Sequence, residues 1–325
     1  MQAPQSKKSK LIYLMRILLT ETDEGHPIKM EDILSRLEEE GIFVERKTIY
    51  DDIKILQDFG IDIVLDKKKS FSYYVATRDF ELPELKLLAD AVQSSKFITK
   101  KKTQQLINKL EGLVSKHDAG KLRRQIHIQN RIKNMNESIY YNVDSLHEAI
   151  SEGKKVSFKY FYYNIYKEQV FPRDDGEYIV SPAALSWSEE NYYLIGILDG
   201  HEGLRHFRVD RMKSVKILDE LRDSGVKDFN LTEYIKKMFG MFNGEELTVK
   251  LRMHNRLAHT VIDRFGRDII LIPDGDNHFI INIVVAISTV FSAWIFQFGD
   301  KCEVLSPQSF KDDLKKQAEA FLSRL

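Results

Sequence analysis

The spacing of apolar residues changes along this chain of 325 residues, and that change dictates more than one core. Up to about residue 135 the apolar positions recur at helical spacing. From about residue 156 they give way to short runs rich in aromatic and β-branched side chains. In the first stretch Leu11, Leu14, Met15 and Leu18 form one stripe, and His26-Pro27 breaks it. A second helix is expected from about Met30 to Glu40, ended by Gly41. A third is expected from about Arg46 to Phe59, with Ile49, Ile53 and Leu56 inward and Gly60 as its stop. Ile61–Leu65 and Phe71–Val75 then read as two strands joined by a lysine-rich turn. Three helices followed by a hairpin, with a short turn between helices two and three, is the order of a winged helix-turn-helix.

After Leu82-Pro83, the segments 82–97, 103–116 and 119–135 read as three connector helices. Six short strands are expected between Val156 and Leu218, among them Lys167–Phe171, Tyr178–Trp187, Tyr192–Leu198 and Leu204–Val209. Turn signals such as Asp174-Asp175-Gly176 and Asp199-Gly200 separate them, a spacing suited to a small barrel. Beyond a helical linker the last hundred residues read strand, helix, strand, strand, helix, strand and a final helix, which contains the ferredoxin-like order. The expected class is α+β and multi-domain. The winged helix-turn-helix occupies 1–80, the connector 81–138, an Sm/SH3-like small β-barrel 139–224 and a ferredoxin-like domain 225–325.

Composition narrows the function classes. Formal net charge is zero, but it is unevenly spread: residues 81–140 hold 12 Lys+Arg against 6 Asp+Glu, whereas residues 1–80 hold 13 against 15. A nucleic-acid partner must therefore be met by local cations rather than by a globally basic domain. No apolar run reaches the roughly 18 residues of a membrane span, and the N-terminus lacks the apolar stretch of a secretory signal. A single cysteine, Cys302, excludes an internal disulfide and points to the cytoplasm. The nine histidines are scattered, and His254 and His259 have no acidic or thiol partner at ligand spacing. No glycine-rich phosphate loop follows a strand, so no metal, cofactor or catalytic residue is expected. The acidic pairs Asp51-Asp52, Asp174-Asp175 and Asp312-Asp313 are assigned surface or turn roles.

Two sets of residues carry candidate chemistry. On the third helix, the face opposite the apolar stripe holds Lys47, Tyr50, Asp51, Lys54 and Asp58, with Arg46 and Thr48 in the first turn. Arg, Lys, Tyr and Thr there can meet phosphates or base edges, and Lys67, Lys68 and Lys69 at the hairpin tip can meet the flanking backbone. The same face, taken alone, is also what a solvated helix shows. In the barrel region, Arg205, Arg208 and Arg211 fall within seven residues of one another, with Tyr160, Tyr178, Tyr192 and Tyr193 expected nearby. Guanidinium forks suit phosphate or carboxylate, and the rings can stack on bases. The alternative is that these arginines pair with Asp210, Glu189, Glu190 or Asp199.

The runs Ser181-Pro182-Ala183-Ala184-Leu185, Tyr192-Tyr193-Leu194 and Arg205-His206-Phe207-Arg208-Val209-Asp210-Arg211 resemble the WYL domain, with Tyr192 where that family usually has Trp. Arg46-Lys47-Thr48-Ile49-Tyr50-Asp51-Asp52-Ile53 is similar to the recognition helix of the DeoR-like winged-helix regulators that carry this domain, many of which have Arg where this chain has Asp51. Phe291, Trp294, Val304-Leu305 and Pro307 resemble the extension that follows WYL domains. The resemblance implies a homodimeric transcription regulator that binds a double-stranded operator. Its Sm-like barrel would sense a nucleotide or single-stranded nucleic acid, through a basic cluster carried here by Arg205, Arg208 and Arg211 and a motif tyrosine carried by Tyr193. Two other readings stay open: a constitutive DNA-binding protein whose barrel only dimerises, and a nuclease.

Overall fold

A computed structural model of the chain describes residues 7–67, 71–123, 133–134, 136–172, 176–226, 229–242 and 244–325. They form two compact units, Met1–Glu137 and Ser138–Leu325.

In the first unit the elements run α1 (Lys7–Glu21), β1 (Ile28–Lys29), α2 (Met30–Glu39), α3 (Arg46–Asp58), β2 (Ile63–Asp66), β3 (Ser72–Val75), α4 (Leu82–Ser94), α5 (Lys100–Glu111) and α6 (Lys116–Arg123). Leu14 and Leu18 of α1, Ile33 and Leu37 of α2, and Ile49, Ile53 and Leu56 of α3 meet in one core, closed by Ile63, Tyr73 and Val75. The helical spacing of those residues produces the core: each helix buries a single stripe. Gly41 (φ +75°) and Gly60 (φ +110°) stop α2 and α3 in left-handed turns that only glycine enters without strain. Ile42 N–H reaches back to the Leu37 carbonyl, and Ile61 N–H to that of Leu56. The sheet has three strands, in the order β1-β3-β2, rather than the expected two. β1 holds two residues, too few to show a period.

One expectation is corrected on α3. Asp52, assigned to the surface, is buried, and its carboxylate lies 2.5 Å from the Lys10 ammonium of α1. The connector packs on the first helices. Ser115 Oγ donates to Asp23, Lys116 pairs with Glu21 at 2.6 Å, and the rings of His26 and His117 stack 3.8 Å apart. Leu85, Val114 and Leu122 give α4–α6 a small core of their own. The expected third connector helix ends, in its described part, at Arg123.

The second unit opens with α7 (Ile139–Glu152), which packs over β4 (Lys154–Tyr160), β7 (Tyr178–Ser188) and β10 (Met212–Leu221). Between them lie β5 (Tyr162–Tyr163), β6 (Gln169–Val170), β8 (Asn191–Leu198) and β9 (Leu204–Arg208). The main sheet has the order β10-β4-β7-β8-β9, all neighbours antiparallel. Among the described residues no ladder closes β9 onto β10; a 3-10 turn, Val209–Arg211, carries the chain from one edge to the other. Gly196 lets β7 and β8 approach at a bulge, because a Cβ there would meet the Ser181 carbonyl at 2.6 Å. The strand expected over Lys167–Phe171 shrinks to β6, which pairs with β5 as a separate exposed arm.

The chain continues through α8 (Leu231–Lys237), β11 (Glu246–His254), α9 (Ala258–Phe265), β12 (Ile272–Asp274), β13 (His278–Ala286), α10 (Thr289–Phe296), β14 (Cys302–Ser306) and α11 (Gln308–Leu322). From β11 to β14 this is β-α-β-β-α-β, and the antiparallel sheet has the order β12-β13-β11-β14. Alternation decides its two faces. Val249, Leu251 and Met253 of β11 and Phe279, Ile281 and Ile283 of β13 are buried with Val261, Phe291 and Phe310 from the helices. The residues between them, including Lys250, Arg252, Asn282 and Val284, stay outside the core.

Candidate functional site

A cleft of about 510 Å³ lies at the β9 edge of the five-stranded sheet. Its floor is aromatic. Tyr160 is buried, and its Oη accepts the Arg208 backbone N–H at 3.1 Å. Around it stand Phe207 (5.7 Å between ring centroids, edge-on), Tyr178 (5.8 Å) and Tyr162 (5.5 Å, edge-on). Tyr193 lines the same cleft from β8. Burial raises the phenol pKa of Tyr160 and Tyr193, so both present protonated hydroxyls at neutral pH.

The three arginines divide by role. The Arg208 fork grips Asp210 with Nε and Nη2 at 3.0 and 2.9 Å, and Nη2 also reaches Asn191 Oδ1 at 2.7 Å. The Asp210 carboxylate holds its pKa above the ordinary arginine value. The reading in which the cluster pairs internally therefore holds for Arg208. Arg205 is exposed and donates to His201 Nδ1 at 3.2 Å, and the Arg211 guanidinium sits 6.0 Å from the Tyr162 ring centroid. Among the described residues neither forms an ion pair, so their donors face the cleft with their charge unspent.

Gly240, Met241 and Phe242, from the segment that follows α8, form the opposite wall. His206 ties that wall to β9. Its Nδ1 donates to the Met241 carbonyl at 2.8 Å, because a carbonyl only accepts, and Nε2 accepts from the Tyr234 hydroxyl at 2.9 Å. Desolvation lowers the imidazole pKa and keeps the ring neutral, as this pattern requires, while burial pushes the Tyr234 phenol up to about 12. His206 was read only as part of the Arg205–Arg211 run, and Tyr234 and the 240–242 wall were not singled out; their contact joins residues far apart in the chain and leaves no local signal. Tyr192 does not reach the cleft. It lies on the other side of β8 from Tyr193, against Trp187 at 4.7 Å.

The other candidate set lies on α3. Lys47, Thr48, Tyr50, Asp51 and Lys54 are exposed together, opposite the buried Ile49, Ile53 and Leu56. Arg46 is exposed and pairs with Glu31 of α2 at 2.9 Å. Lys67 is exposed at the end of β2, whereas Lys68 and Lys69 lie outside the described residues. Asp312 and Asp313 accept from Gln308 and Gln317 on the surface of α11, and Asp174-Asp175 lies outside the described residues. Among the described residues, no three His, Cys, Asp or Glu side chains gather as metal ligands, and no helix is long and apolar enough to cross a membrane. Burial pushes the Cys302 thiol up to about 12, well outside the range of a nucleophile.

Comparison with known proteins places families on the second unit. No curated protein matches the chain significantly. Among solved structures it is similar to proteasome accessory factor B/C (PafBC) of Arthrobacter aurescens, at 18% identity and a TM-score of 0.29 over 98% of this chain and 49% of that one. The chain thus spans about half the length of that protein. Residues 141–217 match the WYL domain and residues 245–322 the WCX domain, so the arginines and tyrosines of the cleft lie in a WYL domain, its Gly240–Phe242 wall in the segment between the two matches, and the four-stranded sheet in a WCX domain.

Proposed function

We propose that the chain is a sequence-specific, DNA-binding transcription regulator, controlled by an anionic ligand in the cleft of its WYL domain. The observation that carries the reading is α3: a fully buried inward stripe and an outward face on which Lys47, Tyr50 and Lys54 stand exposed and adjacent. In the first unit, three helices and a small antiparallel sheet follow the order of a winged helix, and α3 holds the position of its recognition helix. The second unit supports the control step. Arg205 and Arg211 offer forked donors beside a wall of tyrosines, a setting suited to a phosphate with a base stacked next to it. The WCX domain, read as ferredoxin-like from its strand order 4-1-3-2, and a homodimer complete the proposed regulator. A ligand regulates such a protein only if it binds one conformation better than another.

The test is binding of the purified chain to DNA from upstream of its own gene, across a salt series, with and without a mononucleotide or a short single-stranded oligonucleotide. Tight, salt-sensitive binding that Lys47→Ala and Lys54→Ala weaken is expected. An oligonucleotide or nucleotide effect that disappears in Arg205→Ala/Arg211→Ala is expected as well. DNA affinity no higher than for unrelated sequence would overturn the regulator reading. Specific binding that no nucleotide alters would favour the constitutive form.

A further inference from the structure

A second cleft in the same unit, of about 490 Å³, is lined by the tip of the β7–β8 hairpin (Trp187, Glu189), by the chain after α8 (Met238–Met241), by Arg264 of α9 and by Val290 and Trp294 of α10. It shares Gly240 and Met241 with the arginine cleft but none of that cleft's charged residues. Its surface mixes polar and apolar groups, with Phe239 beside Trp294 at 5.4 Å and Trp187 half exposed at the rim. Two opposite charges, both exposed, stand at its edge. The Arg264 guanidinium lies 4.1 Å from the Phe239 ring centroid and donates one N–H to the Met238 carbonyl at 2.6 Å. Glu189 lies against Gly240, where an added Cβ would come within 2.9 Å of its Oε1.

These charges flank the same three residues, 238–240, and each is within electrostatic reach of the other. Yet among the described residues no ion pair joins Glu189 to Arg264. The turn that presents Glu189 is also held against its preference: Glu189 (φ +47°) and Glu190 (φ +64°) both sit in the left-handed region, where glycine or asparagine is usual. Such conformations persist where surrounding structure or function over-determines them.

We propose that this cleft is a second ligand site, for a free α-amino acid with a large apolar side chain. Its ammonium meets Glu189, its carboxylate meets Arg264, and its side chain lies among Trp187, Phe239 and Trp294. Charge complementarity selects this occupant. A purely apolar ligand uses neither charge, and an anion alone is repelled by Glu189. The site shares the Gly240–Met241 wall with the anion cleft but uses none of its charged residues.

The chain has two tryptophans, and both line this cleft, so their fluorescence reports its occupancy directly. Titration of the full-length protein with L-phenylalanine and with L-leucine, exciting tryptophan selectively, is expected to give a saturable change for both. N-acetyl-L-phenylalanine lacks the ammonium and phenethylamine lacks the carboxylate. Each is expected to bind about tenfold more weakly or worse, the loss of one charge-assisted contact. Glu189→Gln and Arg264→Gln should weaken L-phenylalanine similarly, with unchanged circular dichroism showing that the fold is kept. Arg205→Ala/Arg211→Ala should leave this titration unaffected. No saturable change up to millimolar amino acid would overturn the proposal, as would equal binding of the N-acetyl and amine analogues.

Discussion

Two short cation-bearing segments, α3 in the first unit and β9 with its following 3-10 turn in the second, use charge in parallel ways on different scaffolds. In each, one charged residue is consumed by the fold and its neighbours are presented. On α3 the consumed residue is Asp52, buried against Lys10, while Lys47 and Lys54 face water. At β9 it is Arg208, locked to Asp210 and Asn191, while Arg205 and Arg211 face the cleft. The surroundings differ. The α3 cations stand in high dielectric, where each is weak and screened by salt. The cleft arginines stand beside an apolar aromatic wall, where a bound anion loses water and gains more from each donor. The first arrangement suits a long polyanion met by many small contacts, and the second a compact anion met by few.

If Asp52 is structural, removing it gives the largest effect. Asp52→Ala leaves the Lys10 ammonium buried without a partner, at a cost of about 3–5 kcal/mol. Both tryptophans lie in the second unit. Urea denaturation followed by far-ultraviolet circular dichroism should therefore show an early helical transition that tryptophan fluorescence does not share. Replacing both residues, Lys10→Met with Asp52→Leu, should restore much of the loss. A cost below about 1 kcal/mol for Asp52→Ala would place the pair among ordinary surface contacts and break the parallel.

Next comes the contrast within the arginines. Arg208→Ala removes a bidentate fork to the mostly buried Asp210, so the second unit should lose about 1–3 kcal/mol. Arg211→Ala removes a residue with no such partner and should change stability by less than about 0.5 kcal/mol while weakening anion binding. Tryptophan-detected urea midpoints separate the two. Equal losses would mean that Arg211 is as much part of the fold as Arg208.

These distinctions mark what the sequence could show. The apolar stripes of α1–α3, the glycine stops at Gly41 and Gly60 and the β-α-β-β-α-β order were legible, because each is a local pattern of spacing and turn chemistry. Asp52 was not, although it lies one helical turn from Ile49 and Leu56, since charge alone argues for the outside and only the Lys10 contact overrides it. Tyr192 and Tyr193 were both assigned to the ligand site, yet adjacent strand residues point to opposite faces, and only Tyr193 lines the cleft. The alternation was available and the cluster of tyrosines obscured it. The Met241 wall and its His206 tie depend on a contact across 35 residues, which no local signal carries.

That tie supplies a pH test of the second region. Desolvation sets the folded His206 pKa below the ordinary 6.5. A base with a lowered folded pKa contributes stability above its unfolded pKa and loses it as pH falls through the folded value. The second unit should therefore be at full stability above about pH 6.5 and weaken on acidification, as protonation of Nε2 opposes the hydrogen bond from Tyr234. In His206→Gln this part of the pH dependence should vanish, with lower stability at neutral pH. A wild-type urea midpoint that holds level from pH 8 to below 6 would show that the imidazole tie contributes nothing.

The smallest effects belong to the presented lysines. Lys54→Ala and Lys47→Ala remove exposed charges and should leave the urea midpoint of the first unit within about 0.5 kcal/mol. Their effect should appear in DNA binding. Each lost phosphate contact should lower the slope of log affinity against log salt by roughly 0.9. Asp51 on the same face works in the opposite direction, so Asp51→Asn should strengthen binding most at low salt, where repulsion between carboxylate and phosphate is least screened. If Lys54→Ala weakened binding equally at all salt concentrations, the lysine would be reading a base edge rather than a phosphate. The α3 face would then resemble the cleft, with few contacts that are individually strong, and the contrast between the two regions would narrow to their geometry.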